Sequence, residues 1–138
     1  MQPVVIDTNI VLDMWVFDDP RSRPLSLALQ AQALRWWVST EMREELLRVL
    51  DYPHLVQRSA LRGVSALDVL AQFDRHTHIL PSAERAPYVC KDPDDQKFID
   101  LAVAQQAMLI SKDKAVLCMK NRLARVGVAV LPVWVPPS

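Results

Sequence analysis

Short apolar runs separated by longer stretches of mixed polarity set the rhythm of this chain. Val4-Val5-Ile6, Trp36-Trp37-Val38, His78-Ile79-Leu80, Met108-Leu109-Ile110 and Val128-Ala129-Val130-Leu131 are each three or four residues long. Most are rich in β-branched or aromatic side chains, and each reads as a strand. The near-continuous apolar ones read as strands buried on both faces. The intervening stretches read as helices: Asn9–Val16, Leu25 to about Ala33, a segment capped by Ser39 or Thr40 and running to Leu50, Leu55–Leu61 and Ala66–Phe73. A further helix opens at Asp94 or Asp95 and runs to about Gln106, and a short one follows Asp113. Asp18-Asp19-Pro20, Tyr52-Pro53 and Pro81 are the breakers, Arg21–Pro24 and Ser82–Lys91 are loops, and the tail from Pro132 to Ser138 is irregular.

Strands alternating with helices predict an α/β domain with a central, mostly parallel sheet of about five strands covered by helices. In such folds ligands gather at the carboxyl ends of the strands. Asp7 and Asp113 both stand where a short apolar strand ends, so a site is expected there on physical grounds. The plainer alternatives are a turn or helix N-cap role for Asp7 and, for Asp113, a turn Asp paired with its flanking lysines.

Helical phase adds two more acids. In the Thr40–Leu50 helix the apolar arc is Met42, Leu46, Val49 and Leu50, and Glu45 falls on its margin while Glu41 and Glu44 point away. Asp95 precedes Phe98, Ile99 and Ala102 by three, four and seven residues, which puts it in the apolar stripe. A buried carboxylate is costly unless it is paired or holds a metal, although an N-cap would also occupy that first turn. Asp92 and Asp94 crowd more like charge beside it. Asp100 falls on the opposite side of the same helix and is expected to be solvated and dispensable.

Size and composition narrow the picture. The chain has 138 residues and is 51% hydrophobic, which fits one domain, residues 1–138, with a core of its own. Two Gly against ten Pro mean that turns rely on Pro and Asp. Cys90 and Cys118 show no metal-ligand spacing and read as reduced thiols. With no secretory or membrane-spanning run, the expected location is the cytoplasm. The net charge of zero argues against a protein that coats nucleic acid by charge alone. Locally, however, Lys112, Lys114, Lys120, Arg122 and Arg125 face only Asp113, a stretch able to guide a phosphate backbone. Two strand-end acids and two inward-leaning helical acids suit one or two hard divalent cations.

The order of these residues resembles PIN-domain ribonucleases, in particular the VapC-like branch that supplies the toxin of toxin–antitoxin pairs. Val4-Val5-Ile6-Asp7-Thr8-Asn9 is similar to the family's opening motif. Ser39 followed by Glu45-Leu46-Leu47-Arg48-Val49-Leu50 resembles the second, Asp92-Pro93-Asp94-Asp95 leading into Phe98-Ile99 the third, and Ile110-Ser111-Lys112-Asp113 the fourth. The resemblance spans about Val4 to Leu131. Lys112 replaces a usual Gly, Gln105-Gln106 replaces a Gly-containing turn, and Gln96 stands where an acid or Asn is frequent. The resemblance implies a three-layer α/β/α fold and an endoribonuclease using Mg²⁺ or Mn²⁺, with Asp7, Glu45, Asp95 and Asp113 catalytic. Asp7, Asp95 and Asp113 would hold the metal, with Glu45 completing its shell directly or through water. Thr8, Asn9, Ser111 and Asp92 would orient carboxylates or touch phosphate. It also implies products with a 5′-phosphate and a 3′-hydroxyl, an RNA substrate, an antitoxin partner and a possible homodimer.

Three rivals stand beside this reading. A haloacid-dehalogenase-like phosphatase also opens on a strand and an Asp, but wants an acid where this chain has Asn9. A catalytically silent PIN fold could serve as an RNA- or protein-interaction module, and a DNA-directed nuclease would carry the same acids. Trp15 is read as core in preference to a base-stacking platform. The adjacent Trp36 and Trp37 face opposite sides of a strand, and one is read as core and the other as an interface residue. His76 and His78 would share a strand face if that segment is extended, and core roles are preferred there over metal binding.

Overall fold

The computed structural model describes residues 1–137, and Ser138 lies outside them. Five strands form one fully parallel sheet: β1 (Gln2–Ile6), β2 (Leu34–Ser39), β3 (Thr77–Leu80), β4 (Met108–Ile110) and β5 (Val130–Leu131), in spatial order β3-β2-β1-β4-β5. The chain winds outward from β1 through β2 to β3, then returns to the other flank of β1 for β4 and β5. Right-handed crossovers of a parallel sheet place helices on one face for the first half and on the opposite face for the second. The result is the three-layer α/β/α arrangement expected. Val4 and Val5 are both fully buried, as a strand covered on both faces requires.

The first half contributes α1 (Thr8–Trp15), α2 (Arg23–Gln30), α3 (Thr40–Leu50), α4 (Pro53–Leu61) and α5 (Ala66–His76), and the second α6 (Gln96–Gln105), α7 (Lys114–Leu117) and α8 (Lys120–Ala124). Ser39 caps α3 by accepting the Met42 amide. Ser65 and Asp68 form a reciprocal capping box on α5. Each supplies partners for amides that the first turn leaves unpaired.

Several expected boundaries move. The segment read as a loop, Arg21–Pro24, is a 3₁₀ turn at Pro20–Ser22 running into α2, because Pro20 and Pro24 both sit in first turns where they forgo no hydrogen bond. Pro53 likewise starts α4 at once. Pro93–Asp95 is a 3₁₀ turn, so α6 begins at Gln96. The helix after Asp113 is two short ones, and β5 is shortened to Val130–Leu131. His76 ends α5, where its Nδ1 pairs with the Gln72 carbonyl, so it shares no strand face with His78. Trp36 is fully buried, edge-on to Phe73 and tilted against Trp15. Trp37 faces the other way and packs beside His78 and under Arg35. Gln106, at the place of the missing glycine, adopts a left-handed backbone (φ 51) to end α6.

Candidate metal centre

The sheet order reverses between β1 and β4, and the crevice at such a switch point is where a parallel sheet leaves room for a ligand. Asp7 follows β1, its amide continuing the ladder to the Ile110 carbonyl at 2.9 Å. Asp113 lies three residues beyond β4 as the N-cap of α7, its carboxylate accepting the Ala115 amide. Asp95 enters from the turn before α6, a helix packed on β1 and β4. One carboxylate oxygen from each of Asp7, Asp95 and Asp113 lies within 4.8 Å of the other two.

Asp7 is 3% exposed and Asp95 7%. Ser111, fully buried, donates to Asp7 Oδ2 at 2.6 Å and accepts the Asp113 amide at 3.2 Å. It thus ties the two strand-end acids to one hydroxyl. Burial pushes the Asp7 carboxyl above its ordinary range, against the Ser111 hydrogen bond, which opposes the shift. Asp95 is pushed up to about 7, first by burial and then by the charges of Asp7, Asp113 and Asp92. Its Oδ2 is buried with no hydrogen-bond partner. A native fold rarely tolerates such an oxygen unless something else meets it there. A hard divalent cation fits: the donors are all carboxylate oxygens, they converge, and their mutual repulsion is the kind a cation relieves.

Glu45 stands beside this trio. On the margin of α3's buried face, it accepts the Thr8 hydroxyl on Oε1 and the Lys97 ammonium on Oε2 at 2.6 Å. Thr8 is buried and Asn9 exposed, the latter's amide held at 3.3 Å by Asp7 Oδ1. Asp92 faces the backbone, capping the turn through the Asp94 amide. Lys112 turns away to pair with Asp13 at 2.6 Å, so its side chain does not crowd Asp113.

Asp100 is not the free surface acid expected from helical phase. Its Oδ1 accepts the Ala86 amide at 2.8 Å and the Gln96 side-chain amide at 2.9 Å. Gln96, 6% exposed, also accepts the Cys90 amide and donates to the Tyr88 carbonyl. Together they staple the 81–92 loop onto α6. Helical phase ranks positions on one helix against the core, and it carries no information about a loop that folds over the other face. Sequence reading also missed Lys97, whose only signal was a cation two residues after the acidic turn. It missed Asp13 as well, which was visible as an acid inside the apolar run of α1.

No curated protein matches the sequence. Among solved structures, the chain is similar to VapBC2 from Rickettsia felis, a structure bound to a DNA fragment from its promoter, with a TM-score of 0.61 and 12% identity over 94% of this chain and 97% of that one. At that identity the likeness speaks for the fold. A family model of the PIN domain matches residues 3–115, from the start of β1 into α7. That span contains the whole carboxylate crevice as well as the first four strands, and the chain belongs to the PIN-domain family.

Proposed function

We propose that this chain is a divalent-metal-dependent endoribonuclease, the toxin component of a toxin–antitoxin pair. The observation that supports this most is the convergence of Asp7, Asp95 and Asp113 at the sheet's switch point with a buried Asp95 oxygen left unpartnered. Asp7, Asp95 and Asp113 would hold Mg²⁺ or Mn²⁺, which when bound supplies Lewis-acid polarisation of a phosphodiester and activation of water. Ser111 holds the Asp7 carboxylate and anchors the backbone at Asp113, and Thr8 orients Glu45 at their side. Glu45 would complete the metal's shell through a water molecule. Lys114, Lys120, Arg122 and Arg125 are exposed, and none makes an ion pair among the described residues. They are suited to meet RNA phosphates. An antitoxin protein and a second copy of the chain are the expected partners, and the cytoplasm the expected location. Among the described residues no helix is long and apolar enough to cross a membrane.

The deciding experiment is cleavage by the purified chain of single-stranded RNA, with single-stranded DNA in parallel. Cleavage with Mg²⁺ or Mn²⁺, lost in EDTA, is expected on RNA. Asp7→Asn and Asp95→Asn should each lower it by orders of magnitude, while Glu44→Gln, on the exposed side of α3, should not. Preference for DNA would redirect the substrate, and cleavage surviving Asp95→Asn would mark a contaminant. Induced expression should arrest growth for the native chain and not for Asp95→Asn. An absence of both cleavage and arrest would leave the fold as an interaction module.

A further inference from the structure

Among the described residues, one cation forms an ion pair with an acid of the crevice. Lys97, in the first turn of α6, places its ammonium 2.6 Å from Glu45 Oε2, and the two side chains are only 16% and 15% exposed. The same ammonium donates to the Asp94 backbone carbonyl and lies 4.9 Å from the Phe98 ring centroid. Three contacts fix it. Glu45 is held just as firmly, because its other oxygen takes the Thr8 hydroxyl. Both of its oxygens are therefore engaged, whereas Asp95 keeps one bare.

We infer that Lys97 is a positioning residue that holds Glu45 off the metal position and trims the negative charge that a phosphodiester must approach. The inference rests on the metal-dependent nuclease reading. Formal charges give the reason. Asp7, Glu45, Asp95 and Asp113 sum to −4; Lys97 brings this to −3 and one divalent cation to −1. Without Lys97 the same ion leaves −2, and like charge opposes an anionic substrate in a low-dielectric crevice. A freed Glu45 would also become a fourth carboxylate ligand. Lys97 thus weakens the hold on the cation while favouring the approach of the substrate.

The signs of the two effects are opposite, and that separates this role from simple support of the fold. Mn²⁺ titration calorimetry on the full chain, with melting curves to verify folding, is the test. Lys97→Met is expected to bind Mn²⁺ several-fold more tightly and to cleave RNA with a raised KM. Lys97→Gln keeps a donor for Glu45 without the charge and should shift both in the same directions by less. Lys97→Arg should stay close to the native chain. In a Glu45→Gln background, most of the gain in Mn²⁺ affinity from Lys97→Met should vanish. A folded Lys97→Met or Lys97→Gln that binds Mn²⁺ no better than the native chain overturns the inference, as does a gain undiminished by Glu45→Gln. A native chain that binds no Mn²⁺ at all overturns the metal-centre reading, and this one with it.

Discussion

At the scale of single residues, the chemistry concentrates on a carboxylate kept where it is least comfortable. Asp95 is buried, has an unpartnered oxygen and faces Asp7 and Asp113. Replacing it with the isosteric Asn removes a charge the fold resists. Asp95→Asn should therefore melt higher than the native chain in metal-free buffer at pH 8, while losing its Mn²⁺ response and its activity. A lower metal-free melting temperature would mean the carboxylate is already satisfied. The same residue sets a pH dependence. Asp95 ionises near 7 in the folded state against 3.8 as an ordinary carboxyl. Between those values the native state retains a proton that the unfolded chain has lost, so stability falls as pH rises. The raised Asp7 carboxyl acts in the same direction. Asp19, Asp68 and Asp74 are shifted downward, with Asp19 near 2, and their stabilising effect is lost only as pH falls below that window. Denaturant midpoints of metal-free protein should accordingly drop from about pH 4 to about pH 7. Asp95→Asn should flatten most of that slope, and a native profile flat across the window would contradict the burial argument.

At the scale of elements, α6 does two jobs on two faces. One face buries Phe98, Ile99 and Ala102 against the sheet and brings Asp95 into the crevice. The other holds the 81–92 loop through Gln96 and Asp100. Gln96→Leu keeps the bulk but strands the Cys90 amide and the Tyr88 carbonyl. At about 1–3 kcal/mol for each group left unpaired, a loss of roughly 2–6 kcal/mol is expected from urea unfolding. Limited proteolysis should then cut first within residues 82–91. Asp100→Ala should share that pattern to a lesser degree, whereas unchanged stability and cleavage would show that the staple does not hold the loop. Glycine is absent from the end of α6, and Gln106 accepts the left-handed turn in its place.

At the scale of the whole molecule, the parallel sheet and its centre are thermodynamically linked. The three acids come from β1's exit, the turn before α6 and the loop after β4, so only the folded chain presents them as one site. A ligand that binds the native state alone stabilises it by about 2.7 kcal/mol at a concentration 100-fold above Kd. For a domain of this size that is a rise of roughly 5–10 °C in melting temperature. Millimolar Mn²⁺ should produce such a rise, reversed by EDTA and absent in Asp7→Asn. A melting temperature indifferent to Mn²⁺ and Mg²⁺ would leave the convergence of carboxylates without a role.

Local pattern alone determined a good deal of this protein. Apolar runs of three or four residues marked all five strands. In β1 and β4 this is because a strand covered on both faces has no polar side to interrupt it, whereas the edge strand β3 is largely exposed. Their alternation with helices implied a parallel sheet, and strand ends and helical phase singled out Asp7, Asp113, Asp95 and Glu45 before any contact was known. Proline positions misled at Arg21–Pro24, because a first-turn proline starts a helix as readily as it ends one. Tertiary structure alone decided what the pattern could not carry. Lys97 meets Glu45 across 52 residues, Ser111 meets Asp7 across 104, and Lys112 leaves the crevice for Asp13 across 99. Asp100 became a staple because a loop happens to cross its face. Periodicity reports which side of an element faces the core. The partner that arrives there from elsewhere in the chain is fixed only when the sheet closes its order around β1.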